Sequence, residues 1–467
     1  MAAIREQMAL GLEYGANGKA ELRDAAAADN KALPIHRWVP WIAGFSGTFA
    51  RDAIEAYLPT RGRRQHLVLD PFAGVGTTLV EALKLGCHAS GFEVNKFAAL
   101  AAQAKVNCID VEPGPLRRDV EVLRDSVARF EERIDRAWAE GRPTAIGDTL
   151  ETLQLAAPPH FRSRIPLFSP PVEAKFLYAL RQAEEAEEPH RTLLRVALGA
   201  TMISVSNYSY EPSLSTRPGA GKPLIENASV ASAVLQKLAA IADDIEWARS
   251  NYGSLWAKQR RDVTLASYLD SGVRPKSVSL LLTSPPYMNN YHYVRNTRPQ
   301  LYWLGLVDGP DELRAYEEQS FGKFWQTVRQ SATVELDFEL PPLAALVGTL
   351  RGLSVERGAY GGPGWANYVA TYFNDMWRFL QLVKQQLRPG GRAIIVVGNS
   401  IIQGLEFKVD QLLGDTVERL GLTVEDIRLV RTKRVGNSII DSAVRNGHDA
   451  SHKHKTQLYD AAVILRN

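Results

Sequence analysis

The 467-residue chain has little cysteine: Cys87 and Cys108 are its only two. They do not make a CxxC pair, and no second pair completes a zinc site. Two buried thiols in a reducing cytosol are therefore expected, with neither a disulfide framework nor a metal organising the fold. Long apolar runs are also missing. The longest, "VSLLLTS" and "AIIVVG", fall well short of the roughly 20 residues that span a bilayer. The N-terminal stretch carries acids and no apolar segment of the secretory kind, so a cytoplasmic protein without membrane contact is expected. No charge of one sign dominates: 55 basic residues face 52 acidic ones, a formal net charge of +3. That balance neither demands nor excludes a polyanionic partner, because a local basic face is enough to bind phosphates. There is no GxGxxG and no phosphate-loop Lys-Ser/Thr, which disfavours dinucleotide and nucleoside triphosphate sites. Internal repeats and low-complexity runs are lacking as well.

What is present alternates. "HLVLDPFAGVGTTLVEALKLG" (66–86) reads as a short apolar strand, a Gly-rich turn and a helix with apolar residues at helical spacing. "HASGFEVN" (88–95) is a second strand ending on an acid, and "RDVTLASYL" (261–269) a third unit that leads into "SVSLLLTSPPY" (277–287). Near the C-terminus, "LRPGGRAIIVVGNS" (387–400) reads as a helix end, a tight Gly-Gly turn and a buried strand, followed by the strands "DIRLVRTKRV" and "YDAAVILRN". Strands alternating with helices imply an α/β fold with a doubly wound, mostly parallel sheet. Four stretches follow: an arm (1–30), the first part of the sheet domain (31–110), a largely helical insertion (111–256) and the second part (257–467).

Two strings carry chemistry. In "VLDPFAGVGTT" the strand ends at Asp70, and Gly74 and Gly76 sit ahead of the helix. There they allow positive φ and close ligand approach beside the free N–H groups of the helix start. Glu93 closes the next strand, where an acid can accept hydrogen bonds from ribose hydroxyls. In "LLLTSPPYMNN" a strand runs into a Pro-Pro corner. Two prolines fix φ and remove donors, leaving carbonyls free to accept. Tyr287 adds a flat face on which a nucleobase could stack, a contact worth about 1–3 kcal/mol. The Ser284 hydroxyl and the Pro285 carbonyl are then acceptors for an exocyclic amine.

Together "DPFAGVGTT", "GFEVN", Asp262 in "RRDVTL", "TSPPY" and "RPGGRAIIVVGNS" resemble the DNA amino-methyltransferases, which methylate cytosine N4 or adenine N6 with S-adenosylmethionine. "IHRWVPWIAGF" (35–45) resembles the family's segment that closes over the methionine part of the cofactor. The resemblance implies a Rossmann-like class I methyltransferase fold with a seven-stranded sheet. It implies a cofactor site of Phe45, Asp70, Pro71, Phe72, Ala73, Gly74, Gly76, Thr77, Thr78, Glu93, Val94, Asp262 and Thr283. Within it Glu93 would hold the ribose and Asp262 the adenine amine. The catalytic corner would be Ser284, Pro285, Pro286 and Tyr287, with no metal and no covalent intermediate. Serine at the first corner position resembles the N4-cytosine branch more than the adenine branch, where Asp or Asn is usual. No Pro-Cys nucleophile is present for C5 methylation.

An amine inside a stacked duplex cannot reach a bound sulfonium, so the implied substrate is double-stranded DNA with the target base everted. Candidate DNA contacts are Tyr291, His292, Arg295 and Arg298 after the corner, Arg217 and Lys222 in the insertion, and Arg431, Lys433 and Arg434 near the C-terminus. A cognate restriction or defence protein in a bacterial or archaeal cell is the implied partner. The rival readings are an adenine N6 enzyme, an RNA guanine-amine methyltransferase, and a non-catalytic nucleic-acid binder.

Overall fold

The computed structural model describes residues 22, 24–25, 27–41, 44, 46–210, 213–289, 291–432 and 458–467. Along the chain come α1 (Gly47–Tyr57), β1 (Leu67–Asp70), α2 (Thr77–Lys84), β2 (His88–Glu93) and α3 (Lys96–Val106). Next are α4 (Pro113–Ala139), α5 (Pro143–Thr152), α6 (Pro170–Glu185), α7 (His190–Thr201), the short strands β3 (Tyr208–Tyr210) and β4 (Leu214–Thr216), and α8 (Val230–Trp256). After β5 (Arg261–Leu265) and β6 (Val278–Thr283) lie α9 (Tyr293–Trp303), α10 (Pro310–Gln319), α11 (Trp325–Val328), α12 (Pro341–Arg351) and α13 (Gly362–Gln386). The chain closes with β7 (Leu387–Gly398), the strands β8 (Ser400–Ile402) and β9 (Leu405–Phe407), α14 (Val409–Arg419), β10 (Thr423–Thr432) and β11 (Tyr459–Arg466).

Seven strands form one sheet in the order β10-β11-β7-β6-β1-β2-β5. From β7 to β5 every pairing is parallel, and β11 alone runs against both its neighbours. This is the doubly wound arrangement expected from the alternation of strands and helices, with the seven strands that the resemblance implies. Because successive strand residues point to opposite faces, the triple leucine of β6 divides. Leu280 and Leu282 join a core with α1, α2, α3 and α8, while Leu281 joins a second core with α13 and α14. Val68 against Leu67 and Leu69 in β1 divides the same way. Burial on both faces is why these strands read as unbroken apolar runs rather than alternating ones.

Two local readings change. Residues 387–391, expected as a helix end and a tight turn, are the start of β7 itself. Gly390 takes φ +71°, and the pairing with β6 skips from Val278–Leu387 to Leu280–Arg392, so the Gly-Gly pair is absorbed as an irregularity in the ladder. The helical insertion is also continuous with the sheet domain: Leu123 of α4, Phe176 of α6, Val196 of α7 and Leu238 of α8 belong to the same core as Val68 and Leu280.

A buried carboxylate ties the insertion to the segment ahead of α1. Asp244 on α8, 2% exposed, accepts Ile35 N at 2.8 Å, Trp38 Nε1 at 3.0 Å and both Nε and Nη2 of Arg37 at 3.1 and 2.6 Å. His36 in between bonds Glu81 of α2 at 2.7 Å. Removing the Asp244 carboxylate strands two buried N–H donors at about 1–3 kcal/mol each. Asp244→Ala should therefore destabilise the fold by about 2–6 kcal/mol in chemical denaturation, whereas a surface change such as Asp243→Ala should cost far less.

Candidate active site at the carboxyl edge of the sheet

Since β1, β2, β5 and β6 run the same way, their carboxyl ends collect on one edge, where open parallel sheets bind ligands. At the tip of β1 the buried Asp70 accepts Thr283 Oγ1 of β6 at 2.6 Å and the Phe72 N–H at 3.1 Å. Burial pushes its carboxyl up to about 6, against the pull of Thr283, Thr78 and the Phe72 N–H. At the tip of β2, Glu93 accepts Gly74 N and Asn95 N, both at 2.8 Å. Burial pushes this carboxyl up to about 7. The two carboxylates thus order the Gly-rich turn from either side.

The turn needs its glycines for different reasons. Gly74 takes φ +51°, and a Cβ on it would lie 3.2 Å from Trp41 Nε1. Gly76 takes φ +84°, and a Cβ there would press on Ala102 of α3 at 3.2 Å. Gly74 is open toward the site and covered by Trp41; Gly76 lets α3 approach.

One cavity runs along this edge. Pro71, Phe72, Gly74, Glu93 and Val94 line it on the β1–β2 side, Tyr268 beyond β5, and Ser284 and Pro286 at the β6 corner. Gly74 and Ser284 therefore face a shared space. The cavity is roofed by Tyr316 and Phe321, and Phe321 meets Phe72 edge-on at 5.0 Å. On the far side of the corner, a smaller cavity is lined by Ser284, Pro285, Tyr287, Asn289, Arg431 and Asp460. The Tyr287 ring lies against Gly398, where a Cβ would sit 3.1 Å from it. Its hydroxyl is hydrogen-bonded to Ser284, and burial raises its pKa far above that of a free tyrosine.

The remaining expected residues sort by depth. Ala73, Gly76, Thr77 and Thr78 stand behind the cavity wall, with Thr78 Oγ1 donating to Leu282 O at 3.4 Å; Asp70 and Thr283 brace it. Phe45 lies outside the described residues, and Trp41 occupies the covering position. Asp262 is a correction: it is exposed and paired with Arg260 at 3.2 Å. Strand β5 continues three residues further, so Asp262 pairs with Ser90 while Leu265 pairs with Glu93. At about 3.3 Å per residue, Asp262 stands roughly 10 Å short of the edge. Tyr268, which sequence reasoning missed, supplies that wall instead, and its ring meets Phe92 at 5.5 Å.

Candidate DNA contacts also divide. Tyr291 and Arg217, far apart in sequence, line one cavity together. Arg295 is exposed, Lys222 half-buried beside the β3–β4 strands, and Arg431 lies at the corner's far side. Arg298 places its guanidinium over Phe161 and Tyr302 at 5.5 and 5.6 Å, and His292 pairs with Glu317 at 3.1 Å, so both serve packing of α9. Lys433 and Arg434 lie outside the described residues.

Residues 43–104, which contain this turn, match the family model of N6/N4-type DNA methylases. The Type II methyltransferase M.AvaI of Nostoc is 24% identical over 436 residues, covering 88% of this chain and 83% of the relative. M.BsoBI of Geobacillus stearothermophilus is 22% identical over 451 residues, covering 88% and 82%. A third, M.MjaII of Methanocaldococcus jannaschii, matches 68 residues at 29% identity. The family model and these relatives support the DNA amino-methyltransferase family for this chain. The family's methyl donor is S-adenosylmethionine, whose sulfonium supplies an electrophilic methyl group. The residues present fit it: Gly74 leaves room that a Cβ would fill, Phe92 and Tyr268 offer apolar ring surface, and Glu93 puts a buried carboxylate at the strand tip.

Glu93 titrates where this can be measured. If Glu93 holds the cofactor ribose, as the resemblance implies, the hydroxyls would donate to the ionised carboxylate, whereas the protonated form would first have to lose its proton. Cofactor affinity should therefore hold above the Glu93 pKa of about 7 and fall toward tenfold per unit below it. Calorimetric titration across about pH 5.5–8.5 should reveal this slope, and Glu93→Gln should bind weakly without it.

Proposed function

We propose that the chain methylates N4 of an everted cytosine in duplex DNA. The observation that carries the reading is the serine at the first position of the corner: Ser284 stands beside the Pro285 carbonyl and shares a cavity with Gly74 and Glu93. A serine hydroxyl both accepts from an amine and donates elsewhere, and with the Pro285 carbonyl it offers the two acceptors that an exocyclic amine's hydrogens require.

The chain's own work is binding, alignment and water exclusion. Ser284 and Pro285 hold the amine so that its lone pair faces the cofactor cavity, and they take up its acquired charge until the proton passes to solvent. Tyr287 stays a neutral phenol at working pH, so it orders Ser284 and offers ring surface rather than acting as a base. Pro286 and Phe72 keep the space between dry, which strengthens each remaining polar contact. The insertion (111–256) and the segment after the corner would read the sequence. The relatives' Type II designation supports a modification role beside a cognate restriction nuclease.

Incubation with tritiated cofactor and plasmid DNA, followed by digestion to nucleosides, should label N4-methyldeoxycytidine; label in N6-methyldeoxyadenosine would replace cytosine with adenine in this reading. Tyr287→Ala should lower methyl transfer by about tenfold or more while cofactor affinity stays within about twofold. Gly74→Val should abolish cofactor binding, since its side chain would occupy the space under Trp41 in a positive-φ position.

A further inference from the structure

Behind Trp41 and Tyr293 lies a second cavity of about 270 Å³. Those two rings also border the cofactor cavity, so the spaces are neighbours divided by aromatic walls. The far walls come from two separate stretches: Tyr208, Ser209, Tyr210 and Arg217 of the insertion, and Tyr291 and Gln300 around α9. The stretches are locked together. Tyr210 Oη donates to Asn296 O at 3.0 Å, and Asn296 Oδ1 accepts Leu214 N at 2.7 Å.

We infer that this cavity is a second nucleobase site, which takes one unpaired base of the DNA other than the methyl acceptor. Its walls are the first argument. Trp41, Tyr208, Tyr210 and Tyr291 give a flat guest ring surface of the kind that stacks any base without regard to sequence. Polar demand is the second. Three wall residues hold buried polar atoms without a hydrogen-bond partner: Ser209 Oγ, Tyr291 Oη and Gln300 Oε1. A base edge, which carries donors and acceptors side by side, suits such polar walls better than an aliphatic guest does. Arg217 is the third argument, bringing a cation to the wall where a guest base's own phosphate would follow. The volume sits just below the roughly 300–1,000 Å³ of drug-sized ligand sites, room for one ring system rather than an extended ligand.

Geometry supplies a reason for such a site. Everting the acceptor leaves its former partner unpaired and the stack interrupted. Tyr291 follows the Tyr287 corner by four residues, so the guest is taken to be a base beside the everted one. The inference rests on duplex DNA being the substrate, but not on which base is methylated.

The test takes a tight-binding duplex selected from a random-sequence pool with the full chain and S-adenosylhomocysteine, a selection that does not depend on methyl transfer. Each base of that duplex is then replaced singly by an abasic site, and affinity is measured by fluorescence anisotropy. For the unaltered chain, one position other than the methylated base should lose about tenfold in affinity. In Tyr291→Ala the same position should lose less than about twofold, since the site's own contribution is already gone. Arg217→Ala, a change at a part-exposed loop residue that leaves the buried walls intact, should lower the slope of log affinity against log salt by about one. The inference is overturned if only the methylated position responds, if the response is unchanged in Tyr291→Ala, or if Tyr291→Ala weakens S-adenosylhomocysteine binding instead, which would give the cavity to the cofactor. Nucleoside analysis of the product reports separately on cytosine against adenine.

Discussion

A single buried hydrogen bond sets the spacing on which the chemistry depends: Thr283 Oγ1 to Asp70 Oδ1, 2.6 Å, between the tips of β6 and β1. The Gly-rich turn begins one residue after Asp70, and the Pro-Pro corner one residue after Thr283. Whatever binds over the turn is therefore held at a fixed offset from whatever is clamped at the corner. Methyl transfer between two bound groups requires such an offset, because misplacement by about an ångström can cost a hundredfold in rate. Both tips are fully enclosed in the sheet edge, so neither can move without breaking the ladder that joins β1 to β6 at Val68–Leu280 and Leu69–Leu281.

The motifs that were legible from sequence share a local cause. Gly74, Gly76, Pro285 and Pro286 are residue types that dictate their own backbone angles, so the turn and the corner announce themselves in any context. The central strands were legible because burial on both faces leaves apolar runs such as residues 67–69 and 280–282. What stayed hidden depends on register and on partners distant in sequence. Asp262 was implied by the family resemblance alone, and only the pairing with β2 reveals that β5 runs on to Leu265. Tyr268 carries no local signal, and Trp41 was covered only by the resemblance of residues 35–45 as a whole. They become site residues through Phe92 packing in one case and through the Asp244 anchor of residues 35–38 in the other.

Basic residues interleaved with aromatics proved ambiguous for a physical reason. Arginine is as well suited to lying over a ring as to meeting a phosphate, and Arg298 does the former over Phe161 and Tyr302. His292 likewise turns to Glu317 and caps α9 through Arg295 N at 3.2 Å. Arg217, Arg295 and Arg431 keep their charge at or near the surface, and two of them line cavities beside the corner. A near-neutral chain can still offer a polyanion a basic approach where such residues gather on the edge that carries the site.

Tyr293 joins these parts. Its ring borders the cofactor cavity, both smaller cavities around the corner and the larger one behind Trp41. Its hydroxyl, with a pKa pushed up to about 12 mainly by burial, is hydrogen-bonded to the Tyr287 backbone. It opens α9, whose Thr297 Oγ1 accepts Asn95 Nδ2 beside the tip of β2 at 2.6 Å and whose Asn296 holds the β3–β4 strands. The helix is thus bonded at once to the element carrying Glu93, to the corner and to the insertion. In a close-packed interior a helix moves as a body, so displacing α9 would shift a wall of every one of these spaces together. The walls of the candidate cofactor and base sites are in this way geometrically linked through one aromatic ring, although they are separated by hundreds of positions in the chain.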